Sequence, residues 1–148
     1  MKVLVFGMSG QLGLSLKKAV STISVKNDYY FIGRNQLDLI KSVDIDNFFQ
    51  INKFDVIVNC SAYTNVDKAE DERVIARAVN SIAVGIIAKL CAINNSKFIH
   101  ISTDHVFDGK ISRPYNENDI TNPLNVYGKT KLEGENAIIK NLPILNEW

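Results

Sequence analysis

The chain has 148 residues, of which 46% are hydrophobic and 22% are charged, and its formal net charge is +1. This length and balance are typical of one soluble globular domain with a buried core. A net charge near zero and the lack of a basic run exclude a dedicated nucleic-acid-binding surface. The longest apolar region, 82–93, is interrupted by Lys89 and is too short to span a bilayer, so we expect no membrane segment.

Short apolar runs alternate with amphipathic segments along the chain. Strands are predicted at 2–6, 29–32, 55–59 and 98–102, with a fifth candidate at 144–145. Helices are predicted after Gly13, from Ser42, from about 71 to 93, and from about 125 to 141. This alternation predicts an α/β fold, a Rossmann-like doubly wound parallel sheet with right-handed crossovers.

Cys60 and Cys91 lie far apart in apolar segments, which is typical of buried free thiols in a reducing compartment. No signal peptide is visible, because the first apolar run begins directly after Met1. We therefore expect a cytoplasmic protein. Two histidines, without cysteines or carboxylates at ligand spacing, predict no metal site.

Three evenly spaced glycines, Gly7, Gly10 and Gly13, follow the first strand and precede a helix. Glycines let the backbone turn tightly and approach a pyrophosphate, and a helix N-terminus supplies free N–H groups and a positive dipole end. The pattern therefore predicts nucleotide binding. A tight structural turn is the alternative, because the spacing is Gly-x-x-Gly-x-x-Gly and not the commonest dinucleotide fingerprint.

The residues after the second strand bear on the choice of cofactor. A carboxylate there would hold a ribose 2′-hydroxyl, whereas an arginine accommodates a 2′-phosphate. Arg34 follows Gly33 and the first acid is Asp38, so NADP(H) is favoured over NAD(H). A solvated turn arginine is the alternative, and Asp38 with Leu39 could instead line the adenine end.

Polar and small residues end the third and fourth strands, where open α/β sheets bind ligands. Tyr63 and Thr64 are candidates for contact with ribose or pyrophosphate, or form an ordinary loop. Thr103 would place a hydroxyl beside a nicotinamide, or reflects strand-end turn chemistry. Asn80, among apolar residues of the long helix, either supports a catalytic group or is a satisfied core amide.

Two further features follow the fourth strand. The stretch 106–123 is loop-like, and a loop of that length in a compact domain is usually functional. His105 is a weak candidate for substrate contact, whereas His100 is expected to face the core or a helix.

The most informative pair is Tyr127 and Lys131, which are four residues apart near the start of a helix and so share one face. A nearby ammonium lowers the pKa of a phenol, and a tyrosine tuned in this way can donate a proton to a carbonyl oxygen as hydride arrives at carbon. Thr103 could complete the hydrogen bonds on that oxygen. A surface pair is the alternative for an isolated Tyr-x-x-x-Lys.

Four stretches, 6–13, 58–70, 102–109 and 122–135, together carry a resemblance to a known family. The chain resembles the N-terminal part of the extended short-chain dehydrogenase/reductases and is most similar there to the dTDP-4-dehydrorhamnose reductase family. The resemblance covers residues 1 to about 140. It implies NAD(P)H-dependent reduction of the 4-keto group of a dTDP-4-keto-6-deoxy sugar, giving dTDP-L-rhamnose for polysaccharide biosynthesis. The alternative is a non-catalytic NADP-binding module or regulatory subunit.

The resemblance also implies residue roles. The catalytic set is Thr103, Tyr127 and Lys131, with Tyr127 and Lys131 also contacting the cofactor. The remaining cofactor-binding residues that the resemblance implies are Gly7, Ser9, Gly10, Gln11, Leu12, Asp38, Leu39, Ala62, Tyr63, Thr64 and Lys68. The reasoning above adds the turn glycine Gly13 and Arg34 to this set.

Three departures from the family pattern qualify these expectations. His105 stands where the family usually has tyrosine, and positions 13–15 lack the acid of the magnesium-bridged dimers seen in some members. The chain stops at 148, where family members continue into a C-terminal substrate domain. We therefore expect a single NAD(P)-binding Rossmann domain over 1–148 without that substrate domain, and an uncovered sheet edge that favours association as a homodimer.

Overall fold

The computed structural model describes residues 1–24 and 27–142. Within these ranges one parallel sheet is formed by β1 (Lys2–Phe6), β2 (Asp28–Ile32), β3 (Val56–Asn59) and β4 (Lys97–His100). The strand order is β2-β1-β3-β4, and every pairing is parallel. The predicted α/β parallel sheet is confirmed, whereas the strand predicted at 144–145 lies outside the described residues.

Helices join the strands in the predicted alternation. They are α1 (Gln11–Ser21), α2 (Ser42–Ile51), α3 (Val66–Asp71), α4 (Arg73–Arg77), a π-helical segment (Ala78–Ile82), α5 (Ala83–Asn94), a 3₁₀ turn (Asp104–Val106) and α6 (Val126–Asn141). The chain leaves β1 toward β2 through α1 and returns past β1 to β3 through α2. Right-handed crossovers therefore place α1 and α2 on opposite faces of the sheet, with α5 packed beside α2 and α6 beside α5.

The hydrophobic core lies between the sheet and the α2–α5 layer. Leu4 and Ile57 of the central strands are fully buried and share one cluster with Ile45 of α2 and Ile87 of α5. Because successive strand residues point to opposite faces, Val5 lies on the α1 side, where it is also buried. Both faces of β1 are thus covered, as expected for a parallel sheet.

The long helix was predicted wrongly in its start and its continuity. Helical structure begins at Val66 and passes through α3, α4 and the π-helical segment before α5. The predicted end is right, since Asn95 adopts a left-handed conformation (φ 54°) just after Asn94. Ser42 is also not the cap of α2, because Lys41 is the last residue with extended backbone before that helix.

The stretch Arg73–Asn94 is long and apolar enough to cross a membrane by length and composition alone. In the fold it runs through three helical elements, and 44% of its most apolar window is buried inside the domain. Val84, Ala88 and Cys91 are fully buried against neighbouring elements. This packing is that of a core helix of the α/β domain.

The α1 side of the sheet is less completely covered than the other. Ile99 of β4 is 45% exposed and Ile101 is 43% exposed, and Leu14 of α1 is 55% exposed. Ile23, predicted to continue the apolar face of α1, lies beyond the helix end and is exposed as well. Of the residues of α1, Gly13 alone is buried, whereas α2 buries Ile45 and Phe49 and α5 buries Val84 and Ile87 among others.

Candidate active site

The glycine turn lies at the point where the strand order reverses around β1. Gly7 has a left-handed backbone (φ +84°), and a Cβ there would stand 2.8 Å from the carbonyl carbon of Cys60 in the loop after β3. A Cβ on Gly13 would stand 2.1 Å from the carbonyl oxygen of Gly7. Both glycines are therefore required by close packing of backbone on backbone.

The N-terminus of α1 opens onto this turn. Gly10 is its N-cap with extended backbone and makes no side-chain capping bond. Ser9, Gln11 and Leu12 are exposed around it. The first N–H groups of an α-helix have no partner within the helix, so this 11-residue helix presents donors and a positive dipole end to an anion.

The turn after β2 places Arg34 and Asp38 together at the surface. The Arg34 Nε lies 3.4 Å from an oxygen of Asp38, and the arginine side chain is 72% exposed. An exposed pair of this kind contributes little, so Arg34 can rotate toward another anion at small cost. Leu39 is 7% exposed and belongs to the core cluster, so of the predicted Asp38–Leu39 pair only the acid lies near the rim.

The loop after β3 carries the predicted ribose contacts. Ala62 and Tyr63 are half-buried, whereas Thr64 and Lys68 are exposed. The Tyr63 hydroxyl donates to a carboxylate oxygen of Glu72 at 2.7 Å, and this hydrogen bond is the main reason that the pKa of Tyr63 rises to about 12. At neutral pH this phenol is therefore a donor held by Glu72.

The side chain of Asn80 connects the loop after β3 to α6 through hydrogen bonds. Its Oδ1 accepts from the backbone N–H of Tyr63 at 2.8 Å, and its Nδ2 donates to the Tyr63 carbonyl and to the Thr130 hydroxyl oxygen, each at 3.1 Å. The side chain lies in the π-helical segment and is only 1% exposed. Of the two readings of Asn80, the structure shows a satisfied buried amide, and its partners lie in the cofactor loop and the helix of Tyr127.

We expect Asn80→Ala to lower the free energy of unfolding by about 3 kcal/mol, because it leaves the Tyr63 amide and carbonyl groups without their buried partners. Urea denaturation followed by circular dichroism measures this loss. The matched control is Asn47→Ala, since Asn47 is exposed on α2. An equal effect of the two substitutions would contradict the structural role of Asn80.

Thr103 lies just past β4 and caps the 3₁₀ turn that follows. Its hydroxyl oxygen accepts from the His105 backbone N–H at 3.2 Å and lies 3.2 Å from an oxygen of Asp104, to which it donates. The side chain is half-buried. Thr103 thus has the strand-end turn role and still lies at the carboxyl end of the sheet, where the hydroxyl was predicted.

Tyr127 lies in the first turn of α6, beside that same 3₁₀ turn. The cap of α6 is Asn125, whose Oδ1 accepts from the Gly128 N–H at 2.7 Å. A Cβ on Gly128 would stand 2.2 Å from the His105 carbonyl oxygen, so glycine allows helix and turn to touch. The His105 ring meets the Tyr127 ring edge to face, with centroids 5.4 Å apart. Thr103 and Tyr127 are therefore carried by directly packed elements.

Lys131 follows one turn later on α6 and is only 1% exposed. Its Nζ lies 3.1 Å from Nε2 of His100 and donates to the carbonyl oxygen of Ile101. Burial lowers the pKa of Lys131 to about 8 against a smaller opposing effect of Glu135. Burial and, second to it, the positive charge of Lys131 lower the pKa of His100 to about 3. The hydrogen bonds of Nζ thus go to the end of β4 and not to the phenol of Tyr127.

Sequence reasoning missed the part that Asn59 and His100 play. Asn59 of β3 and His100 of β4 face each other in register, and their side chains lie 3.1 Å apart. The available signal was a polar residue at the same position of two otherwise apolar strands. A polar residue in a buried strand needs a partner, and the register supplies it.

The loop 107–125 is organised by polar contacts of its own. Asp108 accepts from the Tyr115 hydroxyl at 2.9 Å, and Arg113 makes two hydrogen bonds to Asp119 at 2.6 and 2.8 Å. The rings of Phe107 and Tyr115 stack 4.3 Å apart. The predicted long loop is confirmed as irregular in secondary structure, and these contacts give it a defined shape beside the candidate site.

Comparison with known proteins finds a matching family and several relatives. A family described as "RmlD substrate binding domain" matches residues 1–145. The dTDP-4-dehydrorhamnose reductase of Burkholderia thailandensis is 41% identical, over 93% of this chain and 45% of that protein. The enzyme of the same name from Salmonella typhimurium is 38% identical, over 97% of this chain and 48% of that protein. The chain thus spans about half the length of these relatives.

Solved structures show the same likeness. A dTDP-4-dehydrorhamnose reductase from Clostridium acetobutylicum superposes with a TM-score of 0.91 at 36% identity, covering 97% of this chain and 50% of that one. A reductase of the same name from Bacillus anthracis, solved in complex with NADP, has a TM-score of 0.87 at 31% identity, covering 95% of this chain and 50% of that one. The Rossmann-like fold predicted from the sequence is confirmed.

Proposed function

Since the chain belongs to the RmlD substrate binding domain family, that of the dTDP-4-dehydrorhamnose reductases, we propose that it is the nucleotide-binding and catalytic part of an NADPH-dependent sugar-nucleotide 4-ketoreductase. The observation that carries the proposal is the packing of α6 against the turn after β4. This packing gathers Thr103, Tyr127 and Lys131 at the carboxyl end of the sheet that also holds the glycine turn. The substrate would be a dTDP-4-keto-6-deoxy sugar.

The glycine turn fits a dinucleotide. The N-terminus of α1, which has no side-chain cap, presents donors suited to a pyrophosphate, and Gly7 and Gly13 let the neighbouring backbone pack closely enough to form the turn. Ser9, Gly10, Gln11 and Leu12 surround that helix start, and Arg34 would take a 2′-phosphate. Ala62, Tyr63 and Thr64 would contact the ribose or pyrophosphate through their loop.

When bound, NADPH would supply the hydride that reduces the C4 carbonyl of the sugar. Tyr127 would donate its phenolic proton to the carbonyl oxygen. Lys131, in its ammonium form, would lower the pKa of that phenol and hold the ribose hydroxyls. The Thr103 hydroxyl would donate a hydrogen bond to the same oxygen as negative charge develops there.

A second candidate is a module that binds the cofactor without turnover. It is favoured by the contacts of Lys131, whose Nζ bonds with His100 and the Ile101 carbonyl oxygen and not with the phenol of Tyr127. The two candidates separate in one titration of NADPH fluorescence, with and without a dTDP-4-keto-6-deoxy sugar. Sugar-dependent loss of NADPH fluorescence over time supports the reductase, binding without oxidation supports the module, and no binding rejects both.

We expect Arg34→Ala to weaken NADPH binding roughly tenfold and to leave NADH binding unchanged, because a charge-assisted hydrogen bond to the 2′-phosphate is lost. Fluorescence titration of both cofactors measures the ratio. Arg73→Ala, at an exposed arginine of α4, is the control. A preference for NADH that survives Arg34→Ala would remove the argument for NADPH.

Cytoplasmic location and association as a homodimer stay predictions. The extent of the domain over 1–148 also stays a prediction.

A further inference from the structure

Three polar side chains connect β3, β4 and α6 beneath the candidate site. The Nζ of Lys131 lies 3.1 Å from Nε2 of His100, and Nδ1 of the same imidazole lies 3.1 Å from Nδ2 of Asn59. Asn59 and Lys131 are each only 1% exposed. The proposed reaction uses the lysine alone, so Asn59 and His100 need an explanation of their own.

The direction of each hydrogen bond follows from what the groups can donate. The backbone N–H of Ser61 donates to Oδ1 of Asn59 at 3.0 Å, which fixes the amide with its nitrogen toward His100. An amide nitrogen only donates, so Nδ1 of His100 must accept. A neutral imidazole has one acceptor and one donor nitrogen, and Nε2 therefore carries the proton. Burial, the larger cause of the low pKa of His100, keeps the ring neutral.

The Nε2–H group points at the Nζ of Lys131, so Nζ must accept. An ammonium has three donors and no lone pair, whereas a neutral amine has two donors and one acceptor. The amine satisfies both contacts at once, accepting from His100 and donating to the Ile101 carbonyl. With an ammonium, one contact in the chain from Asn59 to Lys131 would bring two donors together.

The charged and titratable groups around Nζ act in opposite directions. Glu135, the next turn of α6, favours the ammonium, and its carboxylate accepts a hydrogen bond from the Ser102 hydroxyl. Tyr127 lies one turn earlier on the same helix, with His105 against its ring. Burial outweighs Glu135, so the pKa of Lys131 falls to about 8.

We infer that His100 is a positioning residue of the candidate site: fixed by Asn59 as its Nε2–H tautomer, it donates to the Nζ of Lys131 and so favours the neutral amine over the ammonium in the cofactor-free chain. The consequence of this inference for the reaction rests on the proposed function. Lys131 can lower the pKa of the Tyr127 phenol only in its ammonium form. His100 and Asn59 then set the pH range in which the ammonium is present, and it is lost as the pH rises through the pKa of Lys131.

The test is nitrogen-15 NMR of the unliganded chain. At pH 9.5 we expect the His100 signals of the Nε2–H tautomer, assigned against a His105→Phe variant because the chain has two histidines. On lowering the pH, the His100 signals should change together with the protonation of Lys131. An Nδ1–H tautomer at pH 9.5, or a titration of Lys131 that leaves His100 unchanged, would overturn the inference.

Asn59→Asp tests the coupling directly. A carboxylate accepts from both the Ser61 N–H and the imidazole, so His100 should switch to its Nδ1–H tautomer and accept from Lys131, whose proton affinity should rise about tenfold or more. Asn47→Asp adds the same charge at an exposed position of α2. It should change neither the tautomer of His100 nor the proton affinity of Lys131. A raised proton affinity with the Nε2–H tautomer retained would overturn the coupling.

If the Asn59→Asp variant does not fold, the nitrogen-15 spectra of the unaltered chain alone test the inference about His100. No cofactor enters either measurement, so failure of NADPH binding would reject the proposed function and leave this result standing.

Discussion

Turnover of a dTDP-4-keto-6-deoxy sugar is expected to fall roughly 10²- to 10⁴-fold when Tyr127 is replaced by Phe, which is the usual contribution of a positioned proton donor. Phenylalanine keeps the ring that packs against His105 and removes only the hydroxyl. The loss should therefore appear in kcat, while the NADPH dissociation constant changes little. The measurement is NADPH oxidation at 340 nm by an enzyme that includes the C-terminal half carried by the relatives.

Tyr115→Phe is the matched control for this substitution. It removes a phenol from the loop 107–125, where the hydroxyl donates to Asp108, and it lies outside the predicted catalytic set. Turnover in this control should stay within a few-fold of the unaltered enzyme. Unchanged turnover in Tyr127→Phe would reject the tyrosine as the proton donor, even if NADPH still binds.

Gly13→Ala is expected to lower the free energy of unfolding by about 3 kcal/mol and Tm by roughly 10 °C. Its Cβ would stand 2.1 Å from the Gly7 carbonyl oxygen and 3.1 Å from the Cα of Met8, and both are backbone atoms of a turn that cannot simply rotate away. The start of α1 must then move off β1. NADPH binding should be lost with it, because the donors at the helix N-terminus move too.

Gly10→Ala separates folding from binding within the same turn. The nearest atom to its added Cβ is the Gly7 carbonyl oxygen at 3.4 Å, an ordinary contact, and its φ is −79°, which any residue adopts. Thermal unfolding should therefore shift by no more than about 2 °C. NADPH titration should still show weaker binding, since in the proposed site the methyl group would lie at the helix N-terminus that receives the pyrophosphate. Equal Tm losses in the two variants would contradict the packing argument for Gly13.

Much of the fold was predictable from the sequence because its signals are local. Each strand is a short apolar run, and the end of α5 at Asn94 follows from an asparagine that tolerates a left-handed backbone. The division of the long helical stretch was not predictable. An apolar period of 3.6 residues continues through α4 and α5. The π-helical segment between them holds Asn80, whose partners Tyr63 and Thr130 are far from it in the chain.

The candidate site likewise has a part that was predictable from the sequence and a part that was not. The glycine turn and the Tyr127–Lys131 pair are motifs with local spacing, and the structure carries them on the expected elements. The partners of Lys131 depend on which strands pair and in what register, and that information is spread over Asn59, His100 and Lys131, far apart in the chain. A search for polar residues that share a register across predicted neighbouring strands would have found Asn59 and His100.

The Asn80 side chain gives the loop after β3 an uncommon kind of protection. A backbone amide in an irregular loop usually exchanges its hydrogen with water quickly, because nothing must open first. The Tyr63 amide hydrogen is instead held by an oxygen of a residue that is 1% exposed and is itself anchored to Thr130. Its exchange therefore requires the loop after β3 to leave the buried Asn80 side chain, so this single loop amide reports on opening of the junction between that loop and the π-helical segment.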